Sequence, residues 1–404
     1  MQIQKCKGCH DLLPQDMVKF RIAETAFREA CLRAGYAEVR TPTLEYLYLF
    51  TSAGTLTPGM LRRVYSFLDW DGWSGERVVL KPDATIPVAR LYLDHLAGEK
   101  PARLFYVTNT FVFEESGAKS RERWQCGAEL IGAGSPLADT DLVSLTLDVL
   151  RRLGIRAISL KLSHAGLIRA ALSGLGMPPQ EQSDLFDRIL DRGEEAIKGI
   201  NGEDPRNLEI MKLLFTTRGE SSGYLKNLKA LTPASSAAFR SALDDFIATF
   251  ELIEALGVDC RIDMTAGKGF EYYTGLIFRI DAGGENIGGG GRYDQLISVL
   301  GGRNTPAAGF ALYINKLMAL LPEAKTAGSP IEVICPPDSY KPAVRLIAAL
   351  RESGYTAEPG LSGRAGSGWR VEVGPAGQFT VISSKGEKTT CAGISEVIKR
   401  LEQA

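Results

Sequence analysis

The segment from Ala266 to Asp294 restricts the fold more than any other part of the chain. It contains two adjacent tyrosines, Tyr272 and Tyr273, then a strand-like run, Leu276–Ile280, and four consecutive glycines, Gly288–Gly291. Four glycines in a β-rich context lose much backbone entropy on folding and contribute no packing. Such a run indicates a position where the backbone comes close to a small polar group. The alternative is a core strand followed by a flexible hairpin. Because neighbouring strand residues point to opposite faces, Tyr272 and Tyr273 are predicted to lie on opposite faces of a strand. Each buried hydroxyl then needs its own hydrogen-bond partner.

The charge balance argues against a protein that binds nucleic acid. The chain has 404 residues, with 47 lysines and arginines against 48 aspartates and glutamates, which gives a formal net charge of −1. Proteins that bind a phosphate backbone commonly carry a strongly basic surface. With 45% apolar and 24% charged residues, the composition is typical of a soluble globular protein, and the length predicts two or three domains. No nucleic-acid partner is expected.

The sequence contains no signal for a membrane or for export. No apolar run approaches ~18 residues, and the N-terminal sequence MQIQKCKGCHDLLP lacks the apolar stretch of a signal peptide. A cytoplasmic location is predicted, in which the seven cysteines are reduced. The run Cys6-Lys7-Gly8-Cys9-His10 has the pattern of haem attachment, but attachment would require export, and no second cysteine pair completes a zinc site. The pattern is attributed to chance, and neither a metal nor a cofactor is predicted.

Hydrophobic periodicity divides the chain into a large and a small part. Helices are predicted at 16–34, 86–96 and 139–150, and strands at 35–46, 64–70, 77–80, 103–114, 123–132 and 157–162, with a hairpin turn at Asp71-Gly72. Helical periodicity over about 176–257 predicts an insertion, and strand character returns over 259–280 and 308–312. The predicted fold of residues 1–321 is α+β, with a long antiparallel sheet flanked by helices around a small-molecule pocket. A linker at 322–330 then leads to a small α/β domain at 331–404.

The larger part carries a series of short motifs in a fixed order. They are Gly8 with Asp11-Leu12-Leu13-Pro14; Gly35-Tyr36 with Glu38-Val39-Arg40-Thr41-Pro42; Lys81-Pro82-Asp83 with Thr85; Gln125, Gly127, Glu129 and Gly132; Lys268-Gly269-Phe270-Glu271-Tyr272-Tyr273-Thr274-Gly275; Gly289-Gly290-Gly291-Arg292-Tyr293-Asp294; and Gly309-Phe310-Ala311-Leu312. Over about residues 5–320 this ordered set resembles the histidyl-tRNA synthetase family. The resemblance implies the fold of class II aminoacyl-tRNA synthetases, and the whole set is far more specific than any single motif.

Several positions that bind ATP in that family are changed here. Val112 stands where the family has an arginine for the α-phosphate, and Glu115 replaces the next arginine of the same loop. The catalytic arginine of the histidine-specific signature becomes Lys268, and the γ-phosphate arginine aligns with Lys316, beside Asn315 in place of a glutamate. Lysine keeps the charge but lacks the planar fork of arginine, and losing one preorganised donor typically costs ~10²–10³ in rate. The resemblance therefore implies a protein with no catalytic residues for amino-acid activation.

The positions that hold free histidine in that family are mostly kept. Carboxylates and amide oxygens suit an α-ammonium group, and hydroxyls or carboxylates beside aromatic rings suit an imidazole. The resemblance implies a histidine-binding site made of Asp83, Thr85, Gln125, Glu129, Lys268, Tyr272 and Tyr273. Asp83 replaces a glutamate of the family, so its side chain is one methylene shorter. The alternative is a satisfied polar core inherited from an active ancestor.

A synthetase-like fold that has lost its ATP site and kept its histidine site resembles the family of ATP phosphoribosyltransferase regulatory subunits. That resemblance implies a non-catalytic subunit, which pairs with a short catalytic subunit in the first step of histidine biosynthesis and makes the complex sensitive to free histidine. It also implies a homodimer within a hetero-octamer. Two alternatives remain open at the level of sequence: a diverged histidyl-tRNA synthetase, and a synthetase-like module that binds histidine or tRNA.

Overall fold

The structure is a computed structural model. It describes residues 4–53, 61, 63–69, 75–98, 100–113, 120–192, 195–196, 205–216, 219–232, 237–266, 272–323, 329–361 and 368–403. The expectations for Glu115, for Lys268 and for the turn at Asp71-Gly72 lie outside these residues. The chain divides into two compact units, residues 1–324 and 325–404.

The first unit is built on β-sheet. Its strands are β1 (Ala37–Glu38), β2 (Leu44–Tyr46), β3 (Ser66–Leu68), β4 (Arg77–Leu80), β5 (Ala102–Phe111), β6 (Glu122–Ile131), β7 (Ile158–His164), β8 (Cys260–Ile262), β9 (Leu276–Ala282), β10 (Glu285–Arg292) and β11 (Ala307–Tyr313). Among the described residues, eight of them form one sheet in the order β1-β5-β6-β11-β10-β9-β7-β8, and β2-β4-β3 form a second. The large sheet is antiparallel from β5 to β7, and only the edge pairs β1–β5 and β7–β8 are parallel.

Helices flank the large sheet and fill the predicted insertion. They are α1 (Pro14–Arg33), α2 (Leu47–Ser52), α3 (Thr85–Leu91, continued by a π-helical turn, Tyr92–Leu96), α4 (Pro136–Arg152), α5 (Ala165–Ser173), α6 (Pro179–Arg192), α7 (Pro205–Thr216), α8 (Ser222–Leu231), α9 (Ala237–Glu254), α10 (Gln295–Val299) and α11 (Ile314–Leu320). The described residues of the insertion between β7 and β8 are therefore mainly helical. No helix among the described residues combines the length and the apolar character needed to cross a membrane.

Local sequence explains where the long helices begin and end. Helix α1 begins with Pro14, whose missing N–H is not needed at that position. The backbone N–H of Leu13 donates to Asp16 Oδ2 at 2.9 Å, and Gly35, with φ of 77°, follows the helix at a backbone angle that suits glycine. Helix α4 begins after Ser135, whose side chain accepts a hydrogen bond from the N–H of Ala138.

Aromatic packing attaches helix α1 to one face of the large sheet. Phe27 lies with its ring centroid 5.9 Å from that of Phe105 on β5 and 6.3 Å from that of Phe310 on β11. All three side chains are buried. Because successive strand residues point to opposite faces, this packing leaves the other face of β5, β6 and β11 for the polar residues considered below.

The glycine run corrects a prediction made from the sequence. Gly288–Gly291 do not form a flexible hairpin; they lie within β10, between β9 and β11 in the middle of the sheet. The hairpin turn is formed instead by Gly283 and Gly284, with φ of 59° and 81°. Glycine is required within this strand because a Cβ at Gly290 would overlap with the carbonyl oxygen of Gly309.

The second unit is a small α/β structure with its own core. Its elements are β12 (Ile331–Ile334), α12 (Tyr340–Glu352), β13 (Ala357–Pro359), β14 (Arg370–Val373), β15 (Phe379–Ile382), β16 (Lys388–Cys391) and α13 (Ile394–Glu402). The strands form one sheet in the order β13-β12-β14-β15-β16. Its core includes Val333, Leu346, Val371 and Val397.

Candidate functional site

A polar cavity of about 380 Å³ lies on the face of the large sheet opposite helix α1. Strand β6 supplies this face through residues two apart, Arg123, Gln125, Gly127 and Glu129. Exposure falls along this row, because Arg123 is half-buried, Gln125 is 6% exposed and Glu129 is 1% exposed. The strand thus runs from the mouth of the cavity to a buried carboxylate.

Glu129 is the centre of a hydrogen-bonded cluster behind the cavity wall. Its Oε1 accepts from Thr85 Oγ1 at 2.8 Å and from the Tyr106 hydroxyl at 3.1 Å, and its Oε2 accepts from the Tyr293 hydroxyl. Burial raises the pKa of Glu129 to about 8, although the hydrogen bonds from Tyr293 and Thr85 oppose the rise. Thr85 and Tyr293 line the cavity themselves, so Glu129 fixes two of its walls.

Glycines on neighbouring strands make room for this cluster. Gly309 on β11 lies opposite Glu129 on β6, and a Cβ at Gly309 would overlap with Glu129 Oε2. A Cβ at Gly127 would overlap with the hydroxyl of Tyr106. The sequence predicted a close polar approach only for the run Gly288–Gly291; at Gly127 and Gly309 the approaching groups are the protein's own side chains.

Three tyrosines form an aromatic wall of the cavity. The ring centroid of Tyr272 lies 5.4 Å from that of Tyr273 and 5.6 Å from that of Tyr293, with the latter pair edge to face. The sequence predicted that Tyr272 and Tyr273 lie on opposite faces of a strand, and this is wrong. They precede β9, outside regular structure, where the backbone has no two-residue alternation, and both rings line the same cavity.

Asp83 brings a second carboxylate to the cavity, at the start of helix α3. Its Oδ1 accepts a hydrogen bond from the backbone N–H of Ile86 at 2.9 Å. Desolvation raises the pKa of Asp83 to about 6, although the backbone N–H groups that it faces lower it. The aspartate is therefore held by the first turn of the helix while it lines the cavity.

The structure brings most of the predicted histidine-site residues together. Asp83, Thr85, Gln125, Tyr272 and Tyr273 line one cavity, although they come from three separate segments of the chain. Glu129 lies one layer behind them and contacts Thr85 directly. Lys268 lies outside the described residues.

Sequence analysis missed other residues at the cavity. Tyr293, Arg123, Arg279 and Tyr313 also line it, and Tyr106 contacts Glu129 from strand β5. The two-residue spacing from Glu129 and Gln125 to Arg123 was a usable signal for one of them. Arg279 and Tyr313 reach the cavity through the pairing of distant strands, which no local pattern predicts.

Three of the changed ATP-site positions make contacts within the protein. Lys316 Nζ pairs with the carboxylate of Glu285, and both side chains are exposed. Asn315 Oδ1 accepts a hydrogen bond from the backbone N–H of Trp124 at 2.9 Å. The N–H of Val112 donates to the carbonyl of Arg121 at 3.0 Å and its side chain carries no charge.

Comparison with known proteins agrees with this architecture. A model of the histidyl-tRNA synthetase family matches residues 8–317. The ATP phosphoribosyltransferase regulatory subunit of Dehalococcoides mccartyi is 48% identical over 395 residues, which cover 96% of this chain and 95% of that protein. The histidine–tRNA ligase of Pyrococcus furiosus is 34% identical and covers 90% of this chain and 86% of its own. The crystal structure of an ATP phosphoribosyltransferase regulatory subunit/histidyl-tRNA synthetase from Bacillus halodurans matches with a TM-score of 0.77 at 25% identity, covering 91% of this chain and 95% of that one.

The fold is therefore that of the class II synthetases, in the form found in histidyl-tRNA synthetases, and the predicted fold class is confirmed. Sequence identity over nearly the whole length resolves the family further. The chain belongs to the family of ATP phosphoribosyltransferase regulatory subunits.

Proposed function

We propose that this chain is the non-catalytic regulatory subunit that activates a short catalytic subunit of ATP phosphoribosyltransferase, and that it binds free histidine in the cavity in front of Glu129. The observation that carries the proposal is the cavity itself. Its tyrosine wall, its Asp83 carboxylate and its Gln125 amide match the chemistry of an amino acid that carries an aromatic, ionisable ring. About 380 Å³ lies at the low end of ligand pockets, which suits a small metabolite.

The polarity of the cavity supports a cationic group in its interior. Asp83 lines the cavity, and Glu129 lies just behind Thr85 and Tyr293. The pKa of each carboxyl is raised by loss of water, so each ionised form is short of stabilising charge. An α-ammonium or imidazolium group supplies that charge, and a charge-assisted hydrogen bond contributes roughly 1.5–3 kcal/mol.

The non-catalytic role is supported by the changed ATP positions. A bidentate phosphate clamp uses arginines whose planar forks face the ligand. Val112 is uncharged, and Lys316 already pairs with Glu285. In this proposal the ancestral reaction is lost, and the amino-acid cavity serves as a sensor for the end product of the pathway.

Reconstitution tests the activating role. The chain is mixed with a short catalytic subunit of ATP phosphoribosyltransferase from the same source, and the ATP- and phosphoribosyl-pyrophosphate-dependent rate is measured with and without histidine. We expect the rate to rise on mixing and to fall when histidine is added. A rate that the chain does not change would contradict the activating role, and a rate insensitive to histidine would contradict the feedback role.

A matched pair of variants connects feedback to the cavity. Glu129→Gln keeps the shape of the side chain and removes its ability to ionise, whereas Glu352→Gln makes the same change on an exposed face of α12. Activation by both variants should resemble wild type, and only Glu129→Gln should lose inhibition by histidine. Equal inhibition of the two variants by histidine would show that feedback does not depend on this cavity.

The alternative function, a diverged histidyl-tRNA synthetase, has a direct test. The 34% identity to a histidine–tRNA ligase makes it the strongest competitor. Histidine-dependent exchange of pyrophosphate into ATP measures activation without a partner protein. We expect exchange no faster than in a blank without protein, and appreciable exchange would establish the alternative.

A further inference from the structure

Two arginines outside the predicted histidine set line the same cavity, Arg123 on β6 and Arg279 on β9. We propose that they form an anion subsite that binds the α-carboxylate of the amino acid, so that the cavity selects a zwitterion with a free carboxylate. The inference rests on the proposed function, because it assigns one part of the same ligand.

The position of Arg123 follows from the alternation of β6. Arg123, Gln125 and Glu129 share one face of the strand, and their burial increases in that order. Arg123 therefore lies at the open end of a row whose closed end is a carboxylate. A ligand placed along this row meets negative charge at its inner end and positive charge at its outer end.

The position of Arg279 follows from strand register. Arg279 pairs with Gly289 on β10, Gly289 pairs with Ala311 on β11, and Ala311 pairs with Gly127 on β6. This row therefore carries no side chain larger than a methyl group between Arg279 and β6. Three strand spacings separate β9 from β6, roughly 14 Å, so the Arg279 side chain and a small ligand both have room above the sheet.

A neighbouring carboxylate orients Arg279, and both arginines lie close enough to one tyrosine hydroxyl to affect its pKa. Arg279 Nε donates to Asp281 Oδ1 at 2.8 Å, which uses one of the five donors of the guanidinium. Burial raises the pKa of the Tyr313 hydroxyl, and the charges of Arg123 and Arg279 both oppose that rise. Both arginines thus act on one hydroxyl of the cavity wall.

Separated charges of opposite sign match an amino acid better than a nucleotide. The acidic end, with Asp83 in the wall and Glu129 behind it, would repel phosphates, whereas it stabilises an ammonium group. The basic end stabilises a carboxylate, which arginine binds through two parallel hydrogen bonds. One zwitterion satisfies both ends at once.

The test compares ligands that differ only in the carboxylate. Calorimetric titration of the full chain is carried out with histidine, with histidinol, in which a hydroxymethyl group replaces the carboxylate, and with ATP. We expect histidinol to bind wild type at least about 10-fold more weakly than histidine, from the loss of one charge-assisted interaction. Equal affinity for histidine and histidinol would overturn the inference.

Variants assign the difference to the two arginines. Arg123→Met and Arg279→Met should each lower the affinity for histidine about 10-fold and leave the affinity for histidinol unchanged. Arg279→Lys should recover part of the lost affinity for histidine. Arg303→Met, on an exposed arginine, is the matched control and should bind as wild type does. Variants that weaken both ligands equally, or neither, would contradict the assignment.

The same titrations separate this inference from the proposed function. Wild type that binds no histidine would overturn both. Histidine binding that both arginine variants retain in full would overturn only the carboxylate subsite. ATP binding that depends on the two arginines, together with histidine binding that does not, would assign them to phosphate instead.

Discussion

Gly309 lies directly opposite Glu129 in the antiparallel pair of β11 and β6, and the Glu129 carboxylate occupies the space that a side chain at position 309 would fill. The buried acid therefore depends on the absence of a Cβ on the next strand. This relationship explains why glycine occupies position 309, next to the polar cluster.

Gly309→Ala should displace the Glu129 carboxylate. The new Cβ would overlap with Glu129 Oε2 and crowd the carbonyl oxygen of Ala128, at 2.8 Å. Overpacking of this kind typically costs about 1–3 kcal/mol, and the hydrogen bonds from Thr85 and Tyr293 would be strained. We expect a lower denaturation midpoint and no detectable histidine binding. Gly98→Ala, where the nearest atom to a Cβ is 3.7 Å away, should change neither; equal effects of the two substitutions would refute the argument.

Glu129 should make stability depend on pH. Its pKa is raised to about 8 in the folded protein, above the ordinary value of 4.5. The folded state therefore keeps a proton that the unfolded chain releases, and its stabilising contribution is lost as pH rises from 4.5 through 8. Between about pH 6.5 and about pH 8, the folded state binds up to one proton more than the unfolded state. The free energy of unfolding then falls by up to roughly 1.4 kcal/mol per pH unit.

The measurement is the free energy of unfolding of wild type and Glu129→Gln across that window. The variant cannot titrate at position 129, so its stability should fall less steeply with pH. Asp83, with a pKa of about 6, titrates mainly below this window and remains in both proteins. Parallel pH profiles of the two proteins would show that Glu129 is ionised throughout.

Tyr293→Phe should weaken histidine binding and leave the fold intact. The substitution keeps the ring that packs edge to face on Tyr272 and removes the hydroxyl that donates to Glu129. Without this hydroxyl Glu129 loses one of its three hydrogen-bond donors, and a neutral hydrogen bond of about 0.5–1.5 kcal/mol corresponds to roughly 2- to 10-fold in affinity. A thermal shift induced by histidine measures the change, and Tyr340→Phe, on an exposed tyrosine, is the control. An unchanged shift in Tyr293→Phe would exclude this hydroxyl from ligand recognition.

Arg292→Met should strongly destabilise the first unit. Arg292 donates from Nε and Nη2 to Asp139 at 3.1 and 2.6 Å, and both side chains are buried. Burial opposes the charge of Arg292, but Asp139 and Asp294 raise its pKa above its ordinary value. Removing the arginine leaves Asp139 buried without its partner, which typically costs about 3–5 kcal/mol.

Chemical denaturation of the full chain checks this cost. Glu251→Gln breaks an exposed pair with Lys226 and is expected to cost less than about 1 kcal/mol. If Arg292→Met lowers the free energy of unfolding no more than the control does, water or another group must stabilise the Asp139 carboxylate in place of the arginine.

Part of the fold and of the site is evident from single segments of sequence. The 3.6-residue period over residues 16–34, with Gly35 after its end, predicts a helix without reference to the rest of the chain, and the structure places α1 at Pro14–Arg33. The spacing of Gln125 and Glu129 predicts that both lie on one face of a strand, and they do. A hairpin was left open as an alternative for the glycine run because glycine weakens a strand in isolation, and only the crowding by neighbouring strands shows why the run is a strand.

By itself the sequence determined the family, the order of the elements and the chemical types of the groups in the cavity, because motifs and periodicity are local properties of a chain. The tertiary structure decided which groups meet. Arg279 joins Arg123 across two intervening strands, and Tyr293 reaches Glu129 across more than a hundred and sixty residues of chain. Those contacts depend on strand order and register, which are set when the whole sheet buries its faces and not by any one segment.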